Sequence, residues 1–150
     1  MSKKDGFKLA TLAASIALAM ASTAALAAAP TATQLPGAGN VVVGAGTTSA
    51  GAITNGQQTI TVGGPTVINW GAGTDINATS QPAGFNIGSG AALTFAGTGG
   101  VLNVDVSGNA SQIFGQLTSS ASNLYVANAN GIIVGATAQI SASGEVGLID

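Results

Sequence analysis

Glycine interrupts this chain every few residues, and that recurrence limits its fold more than any other feature: 23 of the 150 residues are glycine. A helix interior loses about 1 kcal/mol at each glycine relative to alanine, so no helix of useful length is expected after residue 29. Between the glycines lie short runs of β-forming residues: Thr59 to Val62, Thr66 to Trp70, Ala92 to Phe95, Val101 to Val106, Leu124 to Val126 and Ile132 to Val134. Several alternate apolar with polar residues, the pattern of strands buried on one face. Short strands separated by Gly, Asn and Ser turns fit a sandwich, a barrel or a solenoid.

A weak internal repeat favours the solenoid. Ile87 to Thr94 (IGSGAALT) resembles Val134 to Ser141 (VGATAQIS) at a constant offset of 47 residues. The separation is about two turns of a parallel β-helix, which would place the copies two coils apart. The asparagines from Asn55 to Asn130 fall at or near the ends of the expected strands, where they tolerate left-handed backbone and form Asx-turns.

The first 29 residues differ in kind. Lys3 and Lys4 precede, and Lys8 stands near the start of, an Ala/Leu-rich run, FKLATLAASIALAMASTAALAAA, which ends in Ala-x-Ala sites at Ala25–Ala27 and Ala27–Ala29. Basic, apolar and small-residue regions in that order make a secretory signal peptide, with the mature chain starting near Ala28 or Pro30. A retained membrane anchor is the competing reading, but Ser and Thr dilute the run.

Removing that leader removes every lysine, and the sequence contains no arginine or histidine. Asp75, Asp105, Glu145 and Asp150 remain as the only charged side chains. Such a surface has no cations for phosphates or anionic lipid, so nucleic-acid and lipid-headgroup binding are not expected. Without Cys there is no disulfide or thiolate metal site. Without His, Lys or Arg most general bases and cationic stabilisers are missing, so no catalytic residues and no cofactor are assigned. The isolated Asp75 and Asp105 are read as solvated turn acids rather than calcium ligands. Asn77-Ala78-Thr79 and Asn109-Ala110-Ser111 match the glycosylation acceptor pattern, a short match that is frequent in such a composition.

Five segments in order then carry a family resemblance: AAPTATQLPGAGNVVVGAG after the leader, ITNGQQTITVGGPTVINW ending at Trp70, GFNIGSGAALTF with Phe85, Asn86 and Gly88, GNASQIFGQL with Asn109, Ser111 and Gln112, and LYVANANGIIVGATAQISASG with Asn128, Asn130 and Gly131. Together they resemble the amino-terminal secretion domain of two-partner-secretion exoproteins, the filamentous haemagglutinin family, across nearly all of residues 30–150.

That resemblance implies an all-β fold, a right-handed parallel β-helix with an amino-terminal cap. It also implies export by the general secretory translocon into the periplasm, then across the outer membrane by a dedicated β-barrel transporter whose periplasmic domains bind this domain. The product would be secreted or held at the cell surface, most commonly as an adhesin that meets a host or neighbouring cell through a downstream region. In the family the turn reads NPNG, so Asn128, Asn130 and Gly131 inherit its role and Ala129 departs from it. The stretch GAGTDINATSQPA between Trp70 and Gly84 is longer than the family's link and reads as a loop. The pattern would continue past Asp150, so truncation with an exposed strand edge is expected there. The alternative class is a structural surface β-solenoid, an autotransporter passenger or matrix protein, exported without a separate partner.

Overall fold

The computed structural model describes residues 27–150; most of the leader expected over 1–29 therefore lies outside the described residues. The described residues are all-β, with short strands and, among them, one 3-10 turn at Ala45–Thr47. The strands are β1 (Gly39–Val43), β2 (Thr48–Ala50), β3 (Gln57–Gly63), β4 (Thr66–Trp70), β5 (Asn86–Ile87), β6 (Ala92–Thr98), β7 (Val101–Asp105), β8 (Ser111–Ile113), β9 (Gln116–Ser119), β10 (Leu124–Ala127), β11 (Ile132–Val134), β12 (Gln139–Ala142) and β13 (Val146–Ile149). The β-branched runs form strands where the sequence places them. The runs do not mark β1, β2, β5, β8, β9, β12 and β13; of these, β5, β8, β9 and β12 are short and carry Asn, Gln or Ser at positions that neighbouring strands decide.

From β4 onward each strand pairs with the strand three places later. The sheets run β1-β4-β7-β10-β13, β11-β8-β5 and β12-β9-β6-β3-β2. All of these pairings are parallel except at one end, where β1 lies antiparallel to β4 and β2 antiparallel to β3. Thr66 sits beside Val101, Val101 beside Leu124, and Leu124 beside Val146. The repeat detected in the sequence occupies equivalent positions: Ile87 pairs with Ile113 and Ile113 with Val134, while Ala92 pairs with Gln116 and Gln116 with Gln139.

The core lies between the sheets. Ile60, Ile68, Trp70, Phe85, Ile87, Phe95, Val101, Ile113, Leu117, Leu124 and Val126 are fully buried. It thins along the chain, since the column that begins with Ile60 and Phe95 continues with Ser119 and Ala142. At the far end β11, β12 and β13 are the outer strands of their sheets, and Ile133, Val134, Val146, Leu148 and Ile149 are exposed.

One strand reverses the hydrophobic rule. In β7, Val101, Asn103 and Asp105 face the interior, while Leu102 and Val104 are only partly covered. A one-residue slip would turn the apolar pair inward, but the parallel pairing to β4 and β10 fixes the opposite parity. The buried polar groups are held by hydrogen bonds, which makes that parity stable.

Candidate functional site

The singled-out residues converge on one corner, where chain leaves the β4-β7-β10 sheet and enters the β5-β8-β11 sheet. Three successive segments turn it: 71–85, 106–110 and 128–131. The NANG turn is the shortest of the three, and the long GAGTDINATSQPA stretch is its counterpart on the earlier strand pair. That stretch has no named strand, as expected, yet it is anchored. Ile76 is buried and exchanges backbone hydrogen bonds with Gly39. The Val41 N–H donates to Asp75 Oδ2 at 2.9 Å, and Asn77 Nδ2 donates to the Pro36 carbonyl at 3.0 Å.

Trp70 ends β4 inside the corner. Its Nε1–H donates to Asn103 Oδ1 at 2.9 Å, and its ring meets Phe85 edge-on with centroids 5.9 Å apart. Such a pair adds to burial through the ring quadrupoles, and a buried indole N–H needs the acceptor that Asn103 supplies. Asn103 is therefore a buried mid-strand residue rather than a turn asparagine, and its Nδ2 reaches the Tyr125 carbonyl at 3.3 Å.

Asp105 corrects the sequence reading more sharply. It is 5% exposed, not a solvated turn acid. Phe85 N–H and Ser111 Oγ–H both donate to its Oδ2 at 2.8 Å, and Ser107 N–H donates to its Oδ1 at 2.9 Å. A buried carboxylate without a cation is tolerated only when donors satisfy it, and here two backbone amides and a hydroxyl do so. No local signal marks it: the alternation in VLNVDV sets Leu102, Val104 and Val106 on one face and Asp105 on the polar one, and only the pairing of β7 turns that polar face inward.

Asn128 extends the network to the last turn. Its Nδ2 donates to Ser111 Oγ at 2.9 Å and to the Asn109 carbonyl at 2.8 Å, while its Oδ1 accepts from the Asn130 N–H at 2.8 Å. The last contact is an Asx-turn, and Gly131 follows at φ +99°, a conformation that glycine adopts without strain. Asn128 is 2% exposed, whereas Ala129 and Asn130 are exposed. The motif thus has a structural half and an outward half.

The remaining motif residues lie alongside. Asn86 Oδ1 accepts from the Gln112 N–H at 2.9 Å. Gln112 is buried, and its Nε2 donates to the Ala28 carbonyl at 2.9 Å. Gly88 lets the chain before β1 approach, because a Cβ there would collide with the Thr31 carbonyl oxygen. Both glycosylation matches are engaged: Asn77 Nδ2 through Pro36 and Gln58, and Ser111 Oγ through Asp105. A cavity of about 430 Å³ opens beside the NANG turn, lined by Ala27, Asn109, Gln112, Phe114, Asn130 and Ile133 among others.

Chemically this corner holds chain segments together; the Asp105 carboxylate spends its contacts on internal donors. Among the described residues no group of His, Cys, Asp or Glu side chains is placed to hold a metal ion, and no helix is long and apolar enough to cross a membrane. No family model matches the chain, and no curated protein matches it.

Proposed function

We propose that residues 30–150 are the secretion domain of a two-partner exoprotein, wound as a right-handed parallel β-helix. One observation supports the reading above others. Trp70, Phe85, Ser111 and Asn128 come from four separate segments of the resemblance, and one hydrogen-bonded and aromatic network joins them. Segments that define a family by sequence are expected to meet in space when they define its fold. The three-strand periodicity of the parallel pairing supports the coil.

In this reading an extended strand edge of the coil offers unpaired backbone groups to a periplasmic domain of the transporter. Strand addition of that kind depends little on side-chain charge, which suits a surface with so few ions. Ala129 and Asn130 are the part of the motif a partner can touch, and Asn128 holds the turn from within. Adhesion belongs to a downstream region.

The test is export of residues 1–150 with and without a dedicated outer-membrane transporter, with protein measured in medium and periplasm. The reading requires accumulation in the medium only with the transporter, and binding of its isolated periplasmic domains to the purified chain. Export that ignores the transporter sinks it.

A further inference from the structure

The corner cavity reaches the first described residue. Ala27 lines it together with Asn109 and Asn130, whose side chains are exposed, over an apolar floor that includes Phe114 and Ile133. The next residue is built into the fold: the Ala28 carbonyl accepts from Gln112 Nε2 at 2.9 Å, from 84 residues away, and Gln112 is 6% exposed. The chain then follows the edge of β5, with Gly88 N–H donating to the Gln34 carbonyl and Gly90 N–H to the Ala32 carbonyl. A buried carboxamide committed to one carbonyl is costly to strand.

This bears on the two Ala-x-Ala sites. Hydrolysis after Ala29 would discard the Ala28 carbonyl and leave Gln112 Nε2 without it. Hydrolysis after Ala27 keeps it. In that reaction one water is consumed, Ala27 departs as a carboxylate on the leader, and Ala28 gains a free ammonium group.

We propose that the cavity is the binding site for the chain's own processed amino terminus, with the Ala28 ammonium at its mouth and the carboxamide oxygens of Asn109 and Asn130 as acceptors. Capture of an amino-terminal amine by converging polar groups is an established recognition mode. The inference rests on the reading of the first 27 residues as a removable leader. It gives Asn109 and Asn130, from two separate motif segments, one shared ligand, a primary ammonium. That group would be the sole cation of the processed chain, because Lys3, Lys4 and Lys8 leave with the leader.

The same absence of lysine provides the experiment. Residues 1–150 are expressed in a host with leader peptidase, the starting residue is fixed by intact mass, and the protein is acylated with an amine-specific reagent in buffer and in urea. The expected product begins at Ala28, takes one label, and reacts roughly tenfold slower folded than unfolded, as for a group released by local opening. Asn109→Ala and Asn130→Ala, both at exposed side chains, should speed folded-state labelling while the urea midpoint stays put. A retained leader, or a chain starting at Pro30, overturns the leader reading or the cleavage position and the docking with it. A chain starting at Ala28 that labels equally fast in both conditions overturns the docking alone.

Discussion

The carboxamide of Asn128 donates to the hydroxyl of Ser111 at 2.9 Å, across 17 residues of chain, and that hydroxyl donates in turn to Asp105. The last and shortest corner turn is thereby tied to the carboxylate that anchors the one before it. Asn128 serves the interior, and its neighbour Asn130 serves the surface.

Asn128→Ala should therefore destabilise the domain by about 2–3 kcal/mol, because it leaves the Asn109 carbonyl and the Asn130 N–H without their side-chain partner. Asn130→Ala, at an exposed side chain whose backbone N–H is retained, should shift stability by less than about 0.5 kcal/mol. Urea denaturation measures both. A secretion defect in Asn130→Ala with an unchanged midpoint would mark recognition, while a defect only in Asn128→Ala would mark folding.

Trp70→Phe keeps an aromatic ring against Phe85 but removes the Nε1 donor and leaves Asn103 Oδ1 buried without it. We expect a loss of about 2–4 kcal/mol from the unpaired acceptor and the vacated volume. Adding Asn103→Val should return part of that loss, since removing both partners costs less than removing one. A double variant less stable than the sum of the singles would contradict this account.

Ser119 carries the one buried side-chain polar atom among the described residues that lacks a hydrogen-bond partner. It stacks on Phe95 in a column otherwise apolar. Ser119→Ala should stabilise the fold by about 0.5–1 kcal/mol by removing that hydroxyl. A lower urea midpoint would show that the hydroxyl has a partner.

Tyr125 is the sole tyrosine, so its titration can be followed by ultraviolet absorbance. Its hydroxyl donates to Glu145 Oε2 at 3.1 Å, and that hydrogen bond, with smaller contributions from burial and the carboxylate charge, raises its pKa above the ordinary value. The folded state holds the phenol proton more tightly than the unfolded state. The resulting stabilisation is complete below the unfolded pKa and is lost as pH rises through the folded one. Glu145→Gln should bring the titration back toward the ordinary range; an unchanged curve would exclude Glu145 as the cause.

Much was legible in the sequence because it is local. Glycine spacing ruled out helices, the β-branched runs located β3, β4, β6, β7, β10 and β11, and the match of Ile87–Thr94 to Val134–Ser141 gave the repeat distance that the pairings carry. Asx-turn chemistry at Asn128 was likewise local, because its Oδ1 reaches an N–H only two residues on. What the tertiary structure decided depends on register. The inward parity of β7 buries Asn103 and Asp105 because β4 and β10 hold it in place, against the apolar choice its own residues would make. Beside the local Ser107 N–H, the donors to Asp105 come from Phe85 and Ser111, and the acceptor for Gln112 comes from Ala28, contacts that only the packing of separate strands brings about. Alternation states that a strand has two faces, but only its neighbours determine which one is buried.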